Sequence, residues 1–76
     1  MKFDIDIENF PTRLIALMDE KHFTCAGLAR AIEVDKNRIY AWRKGTCYPQ
    51  MFYLARMCVV FDVSADYLMM GKDYEK

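Results

Sequence analysis

Thr24-Cys25-Ala26-Gly27-Leu28-Ala29-Arg30-Ala31-Ile32-Glu33-Val34-Asp35-Lys36-Asn37-Arg38-Ile39-Tyr40-Ala41-Trp42-Arg43-Lys44-Gly45 is the most informative stretch of this chain. Thr24 is a good helix cap, and Leu28, Ala29 and Ile32 recur at helical spacing. A break follows at Glu33 and Val34. Asp35 caps a second helix, whose inward side is Ile39 and Trp42, and Gly45 stops it. Two helices joined this tightly cross steeply, and Ala29 is small enough to let them approach. The spacing places the helices at 24–31 and 36–44. The outer side of the later one carries Lys36, Asn37, Arg38, Tyr40, Ala41, Arg43 and Lys44, and there positive charge concentrates.

Upstream, Asn9 caps a helix over 10–21 with Pro11 in its first turn, where a missing N–H costs nothing. Phe10, Leu14, Leu17 and Met18 form its apolar stripe, and His22 ends it. Residues 2–8 alternate apolar and polar, a period of two that signals an extended strand. It is either laid on the core or exchanged between protomers. Downstream, Pro49 opens a helix over 50–61 that carries Met51, Leu54, Ala55, Cys58 and Phe61. Its apolar residues run nearly all round, so it should be buried on more than one side. It is either the central helix or central and part of a dimer surface. Ser64 caps a last helix over 64–70, with Tyr67 and Leu68 inward and Gly71 as its stop. The expected organisation is an arm at 1–9, an all-α five-helix domain at 10–71 and a tail at 72–76.

With 76 residues, 54% of them hydrophobic and 29% charged, the chain is one small folded domain. That size excludes doubly wound nucleotide-binding folds and barrels. The apolar share is high for such a domain and points to a second buried surface. Net charge is zero but unevenly spread. Residues 21–56 carry seven basic and two acidic side chains, between acidic ends. A polyanion therefore finds one favourable face on a neutral molecule.

Three cysteines without C-x-x-C spacing and a single histidine argue against a metal site. They fit reduced thiols in a cytoplasmic protein. Cys25 reads as a silent thiol in preference to a redox sensor. The start is acidic and lacks the apolar run of a signal peptide. The longest uninterrupted apolar run, Met57 to Phe61, is too short to cross a membrane. No phosphate loop or catalytic grouping is visible, so neither an enzyme nor a cofactor is expected.

From Arg13 to Gly71 the chain resembles the lambda-repressor-like, Cro-type helix-turn-helix DNA-binding proteins, the xenobiotic-response-element family of bacterial and phage regulators. The matching pieces are Arg13-Leu14 with Leu17, Phe23-Thr24, Leu28-Ala29, Val34-Asp35, Ile39, Trp42, Gly45, Pro49, Leu54-Ala55 and Asp62-Val63-Ser64-Ala65-Asp66-Tyr67-Leu68. Each is weak alone; the ordered set is specific. The resemblance implies that the third helix enters the major groove of double-stranded DNA. Base contacts would then come from Lys36, Asn37, Ala41 and Tyr40. Lys36 suits guanine O6/N7, Asn37 suits adenine, and Ala41 suits a thymine methyl. Phosphate contacts would come from Thr24 and Cys25 at a helix N-terminus and from Arg38, Arg43 and Lys44. Trp42 reads as a core anchor in preference to a stacking platform. Met69 and Met70, beside Tyr74, are candidates for a dimer seam.

Four positions depart from the family pattern. Cys25 stands where glutamine is usual. Glu33 stands where glycine serves a positive φ, at a cost of about 1 kcal/mol. Met18 and Arg43 replace an arginine–glutamate pair, which leaves Arg43 free for a phosphate. The resulting expectation is a small phage or mobile-element repressor, active as a homodimer and needing no small-molecule ligand. The alternative is a protein-interaction module, an antirepressor or adaptor, on the same scaffold. The apolar surplus, the zero net charge and Glu33 favour that alternative.

Overall fold

The computed structural model describes residues 9–71. The alternating segment 2–8 and the tail 72–76, with Tyr74, lie outside the described residues. Five helices follow one another: α1 Phe10–Glu20, α2 Cys25–Ile32, α3 Lys36–Lys44, α4 Met51–Phe61 and α5 Ala65–Met70. Among the described residues there is no strand, and no helix is long and apolar enough to cross a membrane.

Periodicity places the core correctly in the first three helices. Phe10, Leu14, Leu17 and Met18 of α1 are buried, as are Leu28, Ala29 and Ile32 of α2 and Ile39 and Trp42 of α3. Edge-on ring contacts help join the elements. Phe23 meets Phe61 with centroids 5.7 Å apart, and Phe10 meets Tyr48 at 6.0 Å. Arg13 ties α1 to the end of α5. Its Nε donates to the Leu68 carbonyl at 3.1 Å and its NH2 to the Met69 carbonyl at 2.6 Å. Carbonyls left over at that C-terminus are thereby satisfied.

The helix ends follow local chemistry, with exceptions. Thr24 Oγ1 accepts from the Gly27 N–H at 2.9 Å, and Ser64 Oγ from the Tyr67 N–H at 3.0 Å. Asn9 and Asp35 occupy the expected cap positions, but neither makes a side-chain cap hydrogen bond. At Asp35 the turn closes through the backbone instead, the Arg38 N–H reaching the Asp35 carbonyl at 3.0 Å. Gly45 and Gly71 end α3 and α5 in the left-handed conformation, as expected. The other three helices close without glycine. His22, Glu33 and Asp62 have φ of 64°, 60° and 59°. The next residue donates back to close each turn: Phe23 to Met18, Val34 to Ala29 and Val63 to Cys58. Phe23, Val34 and Val63 then pack on the core. Their apolar contact offsets the strain before them.

The fourth helix corrects the sequence expectation. Only Met57 and Phe61 are buried, while Leu54 and Cys58 are half-buried and Ala55 is exposed. Met51 is 83% exposed, Val59 81% and Phe52 50%. The helix is apolar nearly all round, Arg56 excepted, yet α2 and α5 are its principal neighbours. Four short partners supply too few side chains to wrap it.

Candidate nucleic-acid interface

Ile39 and Trp42 are sealed in the core, 0% and 2% exposed, and so fix how α3 is rotated. Trp42 is a core anchor; its ring lies 5.6 Å from that of Tyr53 on α4. At about 100° per residue from Ile39, Tyr40, Lys44, Asn37 and Ala41 fall roughly 100–200° around α3, opposite the core, and Lys36 stands at the edge of that side, about 60° from Ile39. Lys36, Asn37, Tyr40 and Lys44 are exposed there, and Ala41 is half-buried. Two cations, an amide, a phenol and a methyl thus stand on one convex surface. No acidic residue of α3 interrupts it.

The other two arginines of α3 flank that surface and are both engaged. Arg38 leans toward α4, its guanidinium 5.7 Å from the centre of the Tyr53 ring. Arg43 leans toward α2, and its NH1 donates to the Cys25 sulfur at 2.8 Å. The expectation that Arg43 is free is therefore corrected. The two unusual residues, Cys25 and Arg43, sit against each other, and each supplies the other's partner. The signal was present in the sequence as two departures, but no rule of spacing joins positions 25 and 43.

The N-terminus of α2 lies beside this end of α3. Thr24 is exposed with its hydroxyl committed to its cap. Cys25 is buried, 8% exposed, so only its backbone faces a ligand approaching there. Backbone N–H groups at a helix start attract anions without side-chain help. Glu33, in the turn between α2 and α3, is exposed in its left-handed conformation.

Arg56 was not singled out in the sequence. Its NH1 donates to the Ile32 carbonyl at 2.9 Å, and its guanidinium lies 5.7 Å from the Phe52 ring centre and 5.8 Å from that of Tyr53. It locks α4 to the end of α2, and it and Arg38 both lie within 5.8 Å of the Tyr53 ring centre.

A family model for the Cro/C1-type HTH DNA-binding domain matches residues 13–69 of this chain. Among solved structures, a transcriptional regulator from Listeria innocua superimposes with a TM-score of 0.75 at 24% identity. The alignment covers 88% of this chain and 62% of that one, so this chain spans less than two thirds of that regulator's length. No curated protein matches the sequence.

Proposed function

Because the chain belongs to the Cro/C1-type helix-turn-helix DNA-binding domain family, we propose that it is a sequence-specific transcriptional regulator. In this reading it is a small repressor of the phage or mobile-element kind. The observation that carries it is the exposed outer side of α3, with Lys36, Asn37, Tyr40 and Lys44 presented together. The α3 helix enters the major groove, which is wide enough to admit it. Lys36 donates to guanine, Asn37 pairs with adenine, Ala41 leaves room for a thymine methyl, and Tyr40 reaches a base edge beside it. Lys44 reaches a phosphate. Arg38 and Arg43 serve the two flanking backbones from their anchored positions, and Thr24 and Cys25 present backbone N–H groups to one of them. The binding unit is 10–71, with an arm before it and a tail after it. It acts as a homodimer on a two-fold site and represses by occupying a promoter.

The test is binding to randomised duplexes across a salt series. A preferred sequence should emerge, and affinity should fall steeply with salt as phosphate contacts release counterions. Binding that shows neither sequence preference nor salt dependence overturns the reading. The exposed apolar side of α4 favours a second one, an interaction module on the same scaffold, which predicts that outcome.

A further inference from the structure

Arg38 lies against an aromatic ring and, among the described residues, against no carboxylate. Its guanidinium is 5.7 Å from the centre of the Tyr53 ring. Tyr53 is half-buried. Its own ring is set by Trp42, sealed in the core, with centroids 5.6 Å apart. Phe52 stands 4.2 Å from it, centroid to centroid, and Arg56, tied to the Ile32 carbonyl, lies 5.8 Å away. Neighbours on α3 and α4 thus fix the Tyr53 ring where the two helices meet. Neither helix contains an acidic residue.

We propose that Tyr53 is a positioning residue for DNA binding: its ring holds Arg38 ready for a phosphate of the backbone that flanks α3. The inference rests on the DNA-binding reading and adds to it a residue of α4 that acts only through Arg38.

The chemistry of the holder carries the assignment. A ring attracts a guanidinium through its face and takes none of the five N–H donors at its edge. A carboxylate would hold the same side chain but would engage two donors and cancel the charge. Arg38 is therefore ordered before binding, with its charge and donors still available. Arg43 differs, because its NH1 already donates to the Cys25 sulfur at 2.8 Å. The nearby Arg56 adds to the positive potential at Arg38 and does not neutralise it. An unheld arginine loses its side-chain freedom when it meets a phosphate, and that loss weakens binding. A held one has lost it on folding.

The experiment is a double-mutant cycle on the full chain, with R38A and Y53L singly and together and Y53F as the conservative variant. Each is titrated with the preferred duplex and with random DNA across a salt series, and circular dichroism checks that each is folded. Y53M replaces Y53L should the latter not fold. Y53F keeps the ring and should bind within about 2-fold of the native chain. R38A should weaken binding to both DNAs and lower the slope of log affinity against log salt by about 1, one phosphate contact being lost. Y53L should weaken both by roughly 2- to 12-fold, the ordering cost of one long side chain. It should keep the native slope, because Arg38 still reaches its phosphate. In the R38A background Y53L should add nothing. Equal losses from Y53L in both backgrounds mark a merely structural role and overturn the proposal, as does an R38A variant that keeps the native slope. Nitrogen-15 relaxation of the native chain without DNA is the second readout. The Arg38 Nε–H should be more ordered than that of Arg30, which is exposed on α2; equal disorder also overturns the proposal. A native chain that binds neither DNA removes the DNA-binding reading and the role of Tyr53 together. Native binding combined with any of the other failures removes the role of Tyr53 alone.

Discussion

The third and fourth helices meet at Tyr53, which touches Trp42 and Arg38, yet they present opposite chemistry to the outside. On α3 two large apolar residues face inward and the remainder, Ala41 apart, is cationic or polar. On α4 the residues are apolar nearly all round, and Met51, Phe52 and Val59 are left exposed. A basic exposed side is stable in water and attracts polyanions. An apolar exposed side gains only by being covered. The contrast separates the surface suited to DNA from the surface suited to association, although both are anchored to the same core contact.

Removing that shared contact should have the largest effect. Trp42→Ala leaves a cavity under both helices and should cost about 3–5 kcal/mol. Against the roughly 5–15 kcal/mol of a typical domain, and less for one this small, thermal or urea unfolding should show most of the stability gone. Next come the specific contacts of α3 alone. Lys36→Ala with Asn37→Ala should remove about 1–3 kcal/mol per base contact from the preferred site while sparing random DNA. Competition binding reads this difference, and equal loss on both DNAs would reassign the two residues to the backbone. Lys44→Ala should weaken all sites alike and reduce the slope of log affinity against log salt by about 1.

Glu33→Gly isolates the turn from both helices. Glycine adopts the observed φ of 60° without strain and should raise stability by up to about 1 kcal/mol. An unchanged melting temperature would show that the glutamate's strain is already relieved. The smallest effect lies on α4 itself. Burial pushes the Cys58 thiol above its ordinary pKa. As pH rises through the thiol range, near about 8.5, the unfolded chain loses its proton first, so stability should decline with rising pH there. Cys58→Ser should flatten that decline, while the exposed Cys47 should be alkylated first in the native chain.

The legibility of the chain follows the range of the forces involved. The limits of α3, the caps at Thr24 and Ser64 and the stops at Gly45 and Gly71 depend on residues within one helical turn, and all were readable. So were the inward residues of α1 to α3 apart from Cys25, which is buried, because each helix has one side for the core and one for water. The candidate DNA surface follows from the same periodicity once Ile39 and Trp42 are taken inward. The α4 helix misled for the converse reason. Apart from Arg56 its residues are apolar on nearly every side, and hydropathy cannot say which side a neighbour will cover.

Local chemistry along the chain therefore settled five helices, their ends and the cationic side of α3. Packing in three dimensions settled which side of α4 stays bare. It also set the approach of Arg38 to Tyr53, the bond from Arg56 to the Ile32 carbonyl and the meeting of Arg43 with Cys25. Those contacts join residues eighteen or more positions apart for Arg43 and Cys25 and for Arg56 and Ile32. A pattern with a period of 3.6 residues carries no information at that range. Only the folded arrangement of the helices brings such groups within hydrogen-bonding distance.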